Sequence, residues 1–107
     1  MKFKINESKL ESVVSSYLDD IDMMEVKWKE SGDVFLYGDN DEYPLINFFP
    51  EKGEIVCLIH IELVNDVATF FSLSNEDTAK LIVNWLENKY EGLKITTVEI
   101  ESHLNSI

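Results

Sequence analysis

The run EIVCLIHIELVNDVATFFSL, residues 54 to 73, decides how the middle of this chain folds. Its first ten residues alternate: Ile55, Cys57, Ile59, Ile61 and Leu63 share one face, while Val56 and Leu58 load the other. A strand that is apolar on both sides belongs inside a sheet. Asn65 and Asp66 then supply a turn, and VATFFSL, residues 67 to 73, predicts a further strand.

Upstream, MEVKWK alternates Met24, Val26 and Trp28 against Glu25, Lys27 and Lys29, the period of a half-buried strand. VFLYG and PLINFFP follow as strands, separated by the turn-rich DNDE and EKG, and Pro44 and Pro50 bracket the second of them. Before these, Leu10, Val13, Val14, Tyr17, Leu18 and Ile21 recur at helical spacing and predict a helix over 7–20. After them, Ser74 is an N-cap for a second helix running to about Tyr90, with Ala79, Ile82, Val83, Leu86 and Tyr90 as its core face and Gly92 as its stop. KITTVEI, residues 94 to 100, makes a last strand. The expectation is one α+β domain over 1–107. It is a two-layer sandwich with an antiparallel meander of about five to six strands, an N-terminal helix and a second helix before the last strand.

A chain of 107 residues with 45% hydrophobic and 11% aromatic content can fill one core. Cys57 is its one cysteine, which rules out an intrachain disulfide or a multi-cysteine zinc site and fits a reducing compartment. MKFKINESKLES lacks a signal-peptide core and no run reaches membrane-span length, so a cytoplasmic location is expected. With 21 acidic and 9 basic side chains the formal net charge is −12. That charge repels nucleic acid and anionic membranes. It suits either simple solubility or a basic protein partner.

YGDNDEYP, residues 37 to 44, resembles a metal loop at first sight. Counted from Asp39, however, Tyr43 and Pro44 stand where a calcium loop needs a ligand and a glycine, and Pro50 stands where it needs a bidentate glutamate. The loop is read as a hairpin, with Gly38 and Asn40 available for left-handed angles, and no metal or other cofactor is expected. His60 and Glu62 would face one side of a strand and Cys57 the other, so the three form no catalytic set. His103 lies in the C-terminal tail. No phosphate loop, nucleophile elbow or zincin helix is present, and no enzymatic activity is expected.

Strand parity assigns the acidic turns a place. With the meander running up and down, Asp19, Asp20, Asp22, Asp39, Asp41, Glu42 and Asp66 gather at one end of the sheet, an anionic rim expected to bind the partner. Leu81 and Trp85 widen the apolar arc of the second helix. Either the helix is deeply buried or Trp85 anchors a homodimer or partner contact.

In size, acidity, α+β layout and lack of catalytic motifs the chain resembles the immunity proteins of bacterial contact-dependent growth inhibition systems, a diverse group without a shared signature. The resemblance implies an inhibitor that binds a basic toxin domain, commonly a nuclease, and it transfers no site residues. A type III secretion chaperone or sensor-like protein-binding module is the alternative, but the sheet between the helices is longer here and no closing helix follows KITTVEI.

Overall fold

Leu10, Val14, Leu18 and Ile21 stand on one stripe of the first helix, α1, which spans Glu7–Ile21 and buries Val14 and Leu18 completely. Val13, at the edge of that stripe, stays exposed. The computed structural model describes residues 7–38 and 43–104. Among the described residues five strands, β1 (Met24–Trp28), β2 (Asp33–Tyr37), β3 (Ile46–Glu51), β4 (Glu54–His60) and β5 (Thr97–Glu101), form one sheet in sequence order, an order that the sequence left open. The first four make an antiparallel meander. Between β3 and β4, Lys52 (φ 51°) and Gly53 (φ 81°) form a two-residue turn with both backbones left-handed, the geometry that matches strand twist.

The run at 54 to 73 does not fold as two strands. β4 stops at His60, and residues Ile61–Phe71 form a helix, α2, so VATFFSL is helical and not a strand. The ladder runs out first: Ile46 pairs with Ile59, His60 N donates to Leu45 O at 2.8 Å, and the next residue, Pro44, has no N–H to offer. Beyond that point Leu63, Val64, Val67 and Ala68 recur at helical spacing and are buried. Asn65 and Asp66, read as a turn, are the exposed polar side of this helix. His60 caps its N-terminus, with Nδ1 accepting from Glu62 N at 3.0 Å, and Ser72 ends it in a left-handed conformation.

A third helix, α3 (Asn75–Lys89), begins at Ser74, whose Oγ accepts from Asp77 N at 3.1 Å. The connection from β4 to β5 therefore holds two helices, and β5 lies parallel to β4, closing the meander with a crossover. The fold is α+β, with a mixed sheet and three helices among the described residues.

The register sorts the strand side chains into two faces. Leu36, Ile46 and Ile59 form one cross-strand row, Val34, Phe48 and Cys57 another, and both rows join the helices in the core. Trp85, Ile82 and Leu86 of α3 and Val64 and Val67 of α2 complete it. The opposite row runs Val26, Phe35, Asn47, Leu58, Glu99. Met24, Val26 and Trp28 therefore point away from the helices, and Met24 and Trp28 are 61% and 43% exposed, the reverse of a half-buried strand packed on a core.

Candidate functional site

The carboxylates expected on one rim divide into three sets. Asp19 and Asp20 close the last turn of α1 and Asp22 follows with a left-handed backbone (φ 54°), all three exposed. Asp39, Asp41 and Glu42, with Asn40, lie outside the described residues. Asp66 sits inside α2, so the strand parity that put it on the rim does not apply to it.

Trp85 and Leu81 are core residues, 5% and 8% exposed, and neither is a surface anchor. The wide apolar arc of α3 is the consequence of its position: it packs on α1 and α2 and reaches β5 as well. The indole Nε1 of Trp85 donates to Asp19 Oδ1 at 2.9 Å, and Lys89 Nζ lies 5.6 Å from the Trp85 ring centroid. A cation is thus held beside Asp19, and this end of the molecule is not purely anionic.

The polar residues around the start of α2 have structural partners. Tyr43 stacks on His60 with ring centroids 4.8 Å apart and donates its hydroxyl to Glu62 Oε2 at 2.6 Å. His60 is 5% exposed. Cys57 is fully buried in the helix-side core, and desolvation pushes its thiol up to about 12. The thiolate needed for nucleophilic or ligating chemistry is therefore suppressed. Burial also raises Tyr90, whose hydroxyl donates to Glu25. Among the described residues no group of three His, Cys, Asp or Glu side chains is disposed to hold a metal ion. No helix there is long and apolar enough to cross a membrane.

The sheet face away from the helices is the feature that the sequence reading missed. Phe35, Asn47 and His60 are closed off on it, but Phe49, Val56 and Leu58 are half-buried and floor an open groove of about 450 Å³. Glu51 and Glu54 wall it at the hairpin end and Glu99 and Glu101 along β5, with Lys52 the one cation in its lining among the described residues. Cross-strand parity places these side chains on one face: Phe49 pairs with Val56, Val56 with Thr97, and Leu58 with Glu99. The glutamates were visible in the sequence at i, i+2 spacing in TVEIE and flanking KG in the hairpin. Their grouping depends on β5 lying beside β4, a strand order that the sequence left open. An apolar floor between carboxylates favours a ligand that is both apolar and cationic. Compared with known proteins, the chain matches no family model, no curated protein and no solved structure.

Proposed function

We propose that this chain is an acidic binding protein that captures and neutralises a basic protein domain, in the manner of the immunity proteins of contact-dependent growth inhibition. One observation carries the reading: the sheet face away from the helices combines a half-buried apolar floor at Phe49, Val56 and Leu58 with the carboxylates of Glu51, Glu54, Glu99 and Glu101. The apolar floor supplies area to bury on binding. The carboxylates steer a cationic partner toward it, and the formal net charge of −12 extends that field beyond the groove. In this reading the protein works in the cytoplasm and needs neither metal nor cofactor, since its effect is occlusion and not chemistry.

The test is a binding titration against a basic nuclease-toxin domain. Replacing Glu51, Glu54, Glu99 and Glu101 by Gln should slow association about tenfold or more at low salt, and added salt should remove the difference. The control on the α1 end replaces Asp20 and Asp22 by Asn, which leaves the Trp85–Asp19 bond intact, and is matched in charge by Glu99 and Glu101 replaced as a pair. Equal losses from the two pairs would show a diffuse field without a defined groove. No measurable affinity for that or any other basic domain would end the proposal.

A further inference from the structure

β5 is the outermost strand of the sheet, and no strand among the described residues pairs with its outer side. Which backbone groups face outward follows from the two ladders that flank β4. His60 N donates to Leu45 O, so the even residues of β4 turn their backbone to β3 and Ile55, Cys57 and Ile59 turn theirs to β5. With Val56 opposite Thr97 and Leu58 opposite Glu99, the amides of Thr97, Glu99 and Glu101 point inward and those of Val98 and Ile100 point out of the sheet.

The two sides of this open edge differ in chemistry. On the helix side a channel of about 520 Å³ runs between β5 and α3, with Ala79, Val83, Val98 and Ile100 as its apolar lining and Val98 38% exposed. At its mouth Glu76 and Lys80 pair with each other at 3.7 Å, leaving little net charge there. On the other side Glu99 and Glu101 stand in the wall of the carboxylate groove. A strand laid along β5 sends alternate side chains to these two sides.

We propose that the β5 edge takes up an extended segment of the partner as an additional strand, and that this segment alternates apolar with basic residues. The outward backbone groups of Val98 and Ile100 supply main-chain hydrogen bonds, the α3 channel receives the apolar side chains, and Glu99 and Glu101 receive the basic ones. A second copy of this chain is the wrong occupant. Two β5 strands pairing would set Glu99 and Glu101 against their counterparts, and each chain already carries a net charge of −12. The inference rests on the reading that the partner is basic, and adds to it the backbone conformation of the bound segment.

The experiment uses the full chain, isotope-labelled, and two synthetic peptides of alternating Val and Lys long enough to span β5. One peptide is unmodified, and the other is N-methylated at the residues whose amides would face β5. The unmodified peptide should slow amide exchange at Val98 and Ile100 and shift the methyl signals of Ala79, Val83 and Val98. The N-methylated peptide should bind about tenfold more weakly. Val98→Pro, tolerated at an edge because the lost N–H faces solvent, should weaken the unmodified peptide further than Val98→Ala does. Equal, salt-sensitive affinity for both peptides would overturn strand addition while leaving the anionic-capture reading standing. Absence of binding by either peptide at low salt would sink both. Shifts confined to the C-terminal end of α1 would also overturn the β5 assignment.

Discussion

The indole N–H of Trp85 on α3 is bonded to the carboxylate of Asp19 on α1 at 2.9 Å, so the residue that best fitted a surface anchor instead joins two helices. Burial of the ring to 5% exposure leaves its one polar atom in need of an acceptor. Asp19, at the end of a helix where negative charge is disfavoured, supplies it. Asp19→Ala should cost about 1–2 kcal/mol through the unsatisfied indole, and Asp19→Asn should cost less because its amide oxygen still accepts. Thermal or urea melts of these variants with and without Trp85→Phe give the coupling energy, and a value near zero would mean the bond contributes nothing.

His60 ends β4 and caps α2, a role that Asn also performs. His60→Asn should keep the cap and lose only the stacking on Tyr43, whereas His60→Leu should lose the acceptor for Glu62 N and cost about 1 kcal/mol more. Chemical denaturation resolves that difference. If the two variants are equally stable, the Nδ1 contact is not a cap in solution.

The Lys52–Gly53 turn carries a side chain at a position where the backbone is left-handed. Lys52→Asn should stabilise the hairpin by about 0.5 kcal/mol, since Asn tolerates that conformation best after Gly. Gly32→Ala should do the reverse. Its φ is +79° and an added Cβ would stand 3.0 Å from the Pro50 ring, so a loss of about 1–2 kcal/mol is expected. Melting temperatures moving the other way would contradict the backbone assignment.

Cys57 should be inert to thiol reagents in the native protein and react only on unfolding, because desolvation moves its thiol from 9.0 to about 12. Between those values the unfolded chain loses the thiol proton and the folded chain keeps it. Stability is therefore full below pH 9 and falls as pH rises through the window, by at most about 1.4 kcal/mol per pH unit from this group. Tyr90, raised in the same sense, adds to the alkaline loss. Cys57→Ala should be less stable at neutral pH through lost packing, yet show a shallower alkaline decline. An unchanged slope would show that the thiol is not responsible.

Local chemistry alone determined α1, the Ser74-capped α3 and the first three hairpin-linked strands, because each is announced by periodicity and end signals within a few residues. The α+β class followed from these. Whether residues 61–71 were strand or helix was not decidable that way, since IELVNDVATFF is apolar enough for both periods. The neighbouring strand decided it: the ladder opposite β4 ends at Leu45 and Pro44, and a chain without a hydrogen-bonding partner satisfies its own backbone as α2. Tertiary structure also chose which side of the sheet faces the helices. Register placed Leu36, Ile46 and Ile59 inward, so Met24 and Trp28 were left in solvent and Glu99 and Glu101 came to stand beside Leu58 and Val56. Trp85 was buried because α3 is packed by helices as well as by the sheet, a condition set by the number of its neighbours and not by its own sequence.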